Sequence, residues 1–328
     1  MGKAFLPEKE TSDAENLIKT YLTCNSDTVD KLAEQYGYAD RRNFTDAMRR
    51  YYGAKRQRNA GMIQEATELK NSFIKGAGKA LTLDVGREYK EILIINDLHI
   101  PYHDPLTVSL VIKVIKDLQP DYICLNGDVI DFYNISRFST DPSRRLSLQD
   151  DIDLTRCILR EIKESSNAKL FMCAGNHEDR LRLYLWNKAP ELSELRALDI
   201  RRQLGLDILD IDYAPYDAIV KVNDIFKIEH GDSVSKHSGW TAKAMYEKRG
   251  GCGIVGHSHR FGSHLKTIDG DTQGWYENAC LCDLNPEYTK EPNWQQGFAV
   301  VSFINRRFYV QQVPIIKHKF VFRGKLYE

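Results

Sequence analysis

No uninterrupted apolar run in these 328 residues approaches the roughly 18–20 needed to cross a bilayer. A membrane-spanning helix is therefore not expected. The start, "MGKAFLPEKETSDAE", lacks the apolar stretch of a secretory signal. Gly2 follows Met1, but Leu6 stands where N-myristoylation needs Ser or Thr. Net charge is missing too, because 46 Lys and Arg balance 46 Asp and Glu. Bulk electrostatics thus select no partner. Internal repeats and low-complexity tracts are absent. The seven cysteines (Cys24, Cys124, Cys157, Cys173, Cys252, Cys280, Cys282) are odd in number and scattered, and several lie in apolar runs. They read as reduced core residues of a cytoplasmic protein. Cys280 and Cys282 lack the two-residue spacer of a zinc knuckle, so no metal is assigned to them. What remains is ordinary globular composition, 42% apolar and 28% charged. The length suits two domains.

The first of these covers residues 1–84 and reads as helical, with a stretch at its end, "NSFIKGAGKALTLDVGREYK", that is a linker or an entering strand. Leu17, Ile18, Tyr21 and Leu22 form one apolar stripe. Val29, Leu32, Ala33 and Tyr36 form a second, and Phe44, Ala47, Met48 and Tyr51 a third. Ser26 or Asp27 can cap the second helix and Gly37 can end it. Two helices joined by a short glycine turn have the layout of a helix-turn-helix. Arg41, Arg42, Arg49, Arg50, Lys55, Arg56 and Arg58 face a single acid, Asp46, across this stretch. Such a block is either a solvated helix face or a nucleic-acid contact made through phosphates.

Residues 85–328 change character. "EILIIND", "YICLNGD" and "KLFMCAGN" are buried strands, separated by the helical periods of "PLTVSLVIKVIKDLQP" and "IDLTRCILREIKES". This alternation predicts a largely parallel sheet covered on both faces. Further on, "AIVKVNDIFKIEHGD", "GIVGHSH", "GFAVVSFINRRFYVQQVPII" and "FVFRG" read as strands and hairpins of a second sheet.

The apolar runs end alike. They deliver Asp97 and His99, then Asp128 and Asp131, then Asn176 and His177, then His230, then His257 and His259. Open α/β sheets bind ligands beyond the carboxyl ends of their strands. An Asp after one strand is commonly a turn or a cap. Five strand ends bearing carboxylates, imidazoles and an amide point instead to a metal site. The oxygen and nitrogen donors suit manganese, iron or zinc. They exceed the needs of one ion, so two are expected.

In this order "DLH", "GDVID", "GNHE", "HG" and "GHSH" resemble the calcineurin-like metallophosphoesterases, over roughly residues 90–312. The resemblance implies a four-layer α/β/β/α sandwich with its metals at the rim. It implies that Asp97, His99 and His259 hold one metal, that Asn176, His230 and His257 hold the other, and that Asp128 bridges them. His177 is then the catalytic histidine and Asp131 the acid that orients it. Two divalent ions follow, with manganese expected and iron, zinc or magnesium as alternatives. His257 and His259 stand one residue apart, so alternation points them to opposite sides. Each then serves a different ion, with Gly256 letting the backbone bend. Arg180, Arg182 and Arg260 adjoin the motifs and are candidate clamps for phosphate oxygens.

The pattern departs from the protein Ser/Thr phosphatases of that family, because Phe132-Tyr133 replaces their Arg-Gly after "GDVID". It is similar to SbcD-like repair nucleases and to phage-encoded phosphoesterases, which implies the host cytoplasm. The leading expectation is therefore a two-metal phosphodiesterase acting on DNA, with the basic helices as its nucleic-acid contact. The alternative is a phosphomonoesterase, or a diesterase of small molecules or cyclic nucleotides, whose helices serve assembly. A homo-oligomer is compatible with either. Trp186 and Trp240 suit a core or an interface equally.

Overall fold

Strand β2 (Lys90–Ile95) sets the pattern for most of the chain. Successive side chains point to opposite faces. Ile92 and Ile94 enter one buried cluster, while Leu93 and Ile95 enter another. Strands β3 (Tyr122–Asn126) and β4 (Lys169–Cys173) repeat this. Cys124, Phe171 and Cys173 share the first cluster; Ile123, Leu125, Leu170 and Met172 share the second. A strand apolar on both faces must be covered on both.

The computed structural model describes residues 6–7, 12–23, 26–52, 80–137, 147–286 and 292–328. It divides into two units, residues 1–75 and 76–328. Strand β1 (Ala80–Leu83) runs parallel to β6 (Ile219–Val222), in register with Ile219–Val222. Residues 80–83 therefore belong to the second unit, and the division falls earlier than the expected boundary after residue 84. Backbone pairing thus decides for the entering strand over the linker within this short segment.

In the second unit, β2, β3, β4 and β5 (Ile211–Ala214) are parallel. Helices α4 (Pro105–Leu118) and α5 (Leu148–Glu164) cover their outer face through Val108, Val111, Ile115, Ile152, Leu159 and Ile162. Helices α6 (Asp179–Lys188) and α7 (Ile200–Leu204) follow β4. Strands β11 (Gln296–Ile304) and β12 (Arg307–Ile315) add an antiparallel pair beside β2. The second sheet contains β1, β6, β7 (Phe226–Glu229), β8 (Gly253–Val255), β10 (Asp271–Glu277) and β9 (Gly262–Ile268), in that order. Val220, Val222, Phe226, Ile228 and Ile254 close onto Ile92, Ile94, Val301 and Phe303 of the first sheet. Helix α8 (Trp240–Arg249) covers the far side, packing Ala242 and Met245 on Val255 and Trp275. The result is the expected helix–sheet–sheet–helix layering. Strands β13 (Phe320–Phe322) and β14 (Lys325–Tyr327) form a terminal hairpin.

The first unit contains α1 (Ser12–Thr23), α2 (Ser26–Gln35) and α3 (Arg41–Tyr52). Its core is Leu17, Tyr21, Val29, Ala33, Phe44 and Met48, drawn from all three expected stripes. Phe44 sits centrally, with the rings of Tyr21 and Tyr38 edge-on at 5.8 and 5.3 Å. Gly37, at φ +72°, ends α2 as expected. Arg42, Arg49 and Arg50 are exposed on α3. Arg41 is engaged in an ion pair with Asp30 of α2, through its Nε at 2.7 Å and also its Nη2. Lys55, Arg56 and Arg58 lie outside the described residues. Among the described residues, no helix is long and apolar enough to cross a membrane.

Candidate metal centre

The turns after the strands are laced together through their backbones. Asp97 N–H donates to Gly127 O at 3.0 Å and His99 N–H to Asp128 O at 2.9 Å. Asp97 Oδ2 accepts from His257 N–H at 3.0 Å, which joins the rims of the two sheets. Asp128 Oδ1 accepts from His177 N–H at 2.9 Å. Asp97, His99, Asp128, His257 and His259 all have left-handed backbone, with φ between +49° and +63°. Non-glycine residues occupy that region at a cost. The bend expected at Gly256 is thus carried by the two histidines themselves. Gly256 contributes by lacking a side chain, because a Cβ there would lie 3.0 Å from Asp97 Oδ2. Gly175 is tighter still, since a Cβ would come within 2.2 Å of Asp128 Oδ1.

These turns gather the donors into clusters. Asp97, His99 and His259 form one, and Asp128, His230 and His257 another. In the first, Asp97 Oδ1 lies 3.1 Å from His259 Nε2, and His99 Nε2 lies 3.1 Å from the same nitrogen. In the second, His230 Nε2 lies 3.2 Å from Asp128 Oδ2, and the His230 and His257 rings are 5.2 Å apart. Asp128 also joins His99 and His177 in a third cluster, at 3.7 and 3.8 Å. Asp97 Oδ1, Asn176 Oδ1 and His230 Nε2 are buried without a hydrogen-bond partner. A buried polar atom left unpaired is costly unless something else binds it. Unpaired oxygen and nitrogen donors in these turns fit divalent cations.

Electrostatics show the same demand for positive charge. Burial alone would lower His230, but Asp128 and Asp97 overcome it and push it up to about 10. His259 is likewise raised by Asp97 against burial. Burial opposes the ionisation of Asp97, yet His259 and His230 hold it down at about 2. His257 faces the opposite balance: burial, then the neighbouring His230, push it down to about 4.

Asp131 serves more groups than the one expected. Its Oδ2 lies 3.0 Å from His99 Nδ1 and 3.2 Å from His177 Nδ1. Its backbone carbonyl lies 2.9 Å from His177 Nδ1 and accepts from Arg180 Nη1 at 2.8 Å. Arg180 Nη2 then lies 2.9 Å from His177 Nε2. A guanidinium only donates, so His177 Nε2 accepts and the ring proton sits on Nδ1, toward Asp131.

A cleft of about 450 Å³ opens on these groups, lined by His99, Asp128, His177, Arg180, Tyr133 and Trp294 among others. Of the three candidate arginines, Arg180 alone lines it. Arg182 is drawn off by Asp179, at 2.5 and 2.7 Å, and lies over Trp186. Arg260 is buried and donates to the carbonyls of Ser235, Lys236 and Ser258, so it braces a loop instead of clamping phosphate. Trp186 and Trp240 are exposed.

Several contributors were given no role by the sequence. Glu178 is buried and accepts from the backbone N–H groups of Asp128, Val129, Ile130 and Gly175. It thereby shapes the turn that presents Asp128. Burial and the nearby Asp128 raise its carboxyl above the ordinary range. Asn96 and Asn278 hydrogen-bond to each other beneath Asp97. Trp294 stands edge-on to His259, with ring centres 4.3 Å apart. In the sequence it is one aromatic residue before β11, a feature that alone means little.

Residues 90–261 match the family model for calcineurin-like phosphoesterases, a little over half of the chain. The chain belongs to the calcineurin-like phosphoesterase family. It is a metal-dependent phosphoester hydrolase. The chain is 28% identical to the gene 54 protein of Mycobacterium phage L5, over 73% of this chain and 99% of that one. It is 27% identical to the gene 54 protein of Mycobacterium phage D29, with the same coverage. Among solved structures it is similar to Vps29 from Entamoeba histolytica complexed with zinc, at 11% identity and TM-score 0.39, over 72% of this chain and 95% of that one. It is also similar to Vps29 from Cryptosporidium parvum, at 13% identity and TM-score 0.39, over 73% and 95%.

Proposed function

We propose that this phosphoesterase is a two-metal phosphodiesterase whose substrate is DNA. Asp97, His99 and His259 would hold one ion, Asn176, His230 and His257 would hold the other, Asp128 would be shared, and manganese would be the working metal. The observation that carries this reading is that Asp97 Oδ1, Asn176 Oδ1 and His230 Nε2 are orphaned beside a cleft that also holds His177 and Arg180. Bound there, two cations would neutralise phosphate oxygens and would lower the pKa of a bound water.

The chain's own groups perform the remaining work. Asp131 fixes the His177 ring through Nδ1. Arg180 occupies Nε2 until an anionic phosphate draws its guanidinium away. The freed Nε2 then takes up a proton from solvent, Asp131 beside Nδ1 supporting the imidazolium, and gives it to the departing oxygen. Two features favour a nucleic acid. Arg42, Arg49 and Arg50 are exposed on α3 for phosphate contact. Tyr133 and Trp294 line the cleft and offer faces on which bases stack.

A phosphomonoesterase is the second reading, favoured by Arg180, a cation within the cleft suited to a terminal phosphate. The test is hydrolysis with manganese of single- and double-stranded DNA, a chromogenic diester and a chromogenic monoester. Triple reversal of Arg42, Arg49 and Arg50 to Glu is expected to weaken DNA cleavage at least tenfold at low salt, and to leave the chromogenic diester untouched. Diester turnover without any cleavage of DNA rejects the DNA assignment. Preference for the monoester rejects the diesterase reading.

A further inference from the structure

We propose that Cys280, Cys282 and His259 form a third cation site, selective for thiophilic metals, which competes with the cleft for His259. The competition rests on the reading of His259 as a ligand of the first ion; the site itself does not. The three side chains offer one donor atom each, all within 4.8 Å of one another. All three are buried: Cys280 is 0%, Cys282 1% and His259 6% exposed. Cys282 Sγ lies 3.8 Å from His259 Nδ1. Sulfur and nitrogen ligands of a tetrahedral zinc stand about 3.6 Å apart, given bonds of about 2.3 and 2.0 Å. The observed gap needs only a small contraction.

The fold explains why a one-residue spacer suffices. Cys280 and Cys282 lie in extended chain, bridged in ladder fashion to Gln296 and His103 respectively. Residues two apart in extended chain project to the same side. Gln295 then brings His259 to that side. Its N–H donates to His259 O at 2.8 Å, while its carbonyl accepts from Cys280 N–H at 3.0 Å. A two-residue spacer is a property of zinc knuckles, whose chain must turn around the metal. Here His259, from a separate element, supplies the third ligand.

The chemistry makes occupancy of the two sites exclusive. Neutral imidazole has one lone pair on its ring nitrogens, because the other nitrogen carries the proton. His259 Nε2 faces Asp97 Oδ1 at 3.1 Å, and Nδ1 faces the thiols. A cation at the thiols takes the Nδ1 lone pair and leaves the proton on Nε2. The first cleft ion then loses a ligand. Thiolates select zinc or cadmium, whereas manganese and magnesium prefer oxygen. Manganese therefore supports the cleft, and excess zinc silences it from behind His259.

Cadmium is the probe, because only its thiolate bonds give the ultraviolet sulfur-to-cadmium charge-transfer band. The manganese-loaded full chain is titrated with cadmium chloride under a non-thiol reductant, alongside Cys280→Ser/Cys282→Ser. Absorbance, manganese release by electron paramagnetic resonance and chromogenic diester turnover are followed together. In the native chain the band is expected to saturate as one manganese leaves and turnover falls. The double variant should lack that band and need over about 100-fold more cadmium to release manganese. No band in the native chain, or an equal band in the variant, overturns the site. A band without manganese release overturns the competition and the placing of His259 on the first ion. DNA-independent turnover before cadmium is added separates this result from failure of the phosphoesterase reading. If the double variant does not fold, Cys282→Ala removes the thiol nearest His259 and carries the same expectation.

Discussion

His257 has φ +63° and is half-buried at the rim. A side chain in this conformation costs roughly 1–2 kcal/mol, which glycine avoids. Glycine gives back about 0.4–1 kcal/mol through the freedom of the unfolded chain. His257→Gly should therefore be more stable than His257→Ala by about 0.5–1 kcal/mol, although both remove the imidazole. Denaturant midpoints measured in chelator test this, since lost ligation is then common to both. Equal midpoints would mean that no strain is stored there. The same reasoning explains what was legible at this scale. Asp97, His99, Asp128, His257 and His259 were readable because each is a polar residue at the end of an apolar run. Their backbone strain was not, and neither was the role of Glu178, the last residue of "GNHE". Its partners are four backbone N–H groups, and a backbone amide leaves no trace in a sequence.

Helix α4 begins at a joint between elements. Its cap, Asp104, accepts from Leu106 and Thr107 N–H through Oδ1, both at 3.0 Å. Its Oδ2 accepts from Gln296 of β11 at 2.9 Å and faces His318 Nε2 at 2.8 Å. Burial opposes ionisation, but His318, Gln296 and the Thr107 N–H together hold the carboxyl below its ordinary 3.8. The folded value is depressed, so the stabilisation is complete above pH 3.8 and is lost as pH falls through the folded value. Asp104→Ala should cost about 1–2 kcal/mol at neutral pH, and the gap to the native chain should narrow below pH 3.8. Urea unfolding across pH checks this; a gap independent of pH would assign the effect to packing. Elements were legible in proportion to their burial. Strands β2, β3 and β4 are continuous apolar runs. Strand β9 is mostly exposed and α6 buries little beyond Leu181 and Leu185, so neither has a pattern that separates it from a loop.

At the scale of the molecule, the proposed ligands divide between the sheets. The first sheet sends Asp97, His99, Asp128 and Asn176 from the ends of β2, β3 and β4. The second sends His230, His257 and His259 from the ends of β7 and β8. Five apolar runs ending in donors made the existence of the site readable, but not this division, since the pairing of sheets depends on clusters such as Ile92, Ile94, Val222 and Phe226. The consequence is energetic. In the proposed assignment each ion would take donors from both sheets, so it would tie their rims together and add binding free energy to the folded state alone. One site at a hundredfold excess over its dissociation constant contributes about 2.7 kcal/mol. For a unit of this size, each kcal/mol moves the melting point by about 2–4 °C. Replacing chelator with saturating manganese should therefore raise the melting transition of the phosphoesterase unit by about 5–10 °C per site filled. Hydrogen exchange should slow at residues 96–99, 127–131, 175–177, 230–231 and 256–259, where the turns meet. Calorimetry reads the first and exchange mass spectrometry the second. His230→Ala should retain the protection around Asp97 and His99 and lose it around Asn176, because one ion can still bridge the sheets through His259. Uniform loss at both would show that the ions bind only as a pair, and an unchanged melting point would remove the clamp altogether.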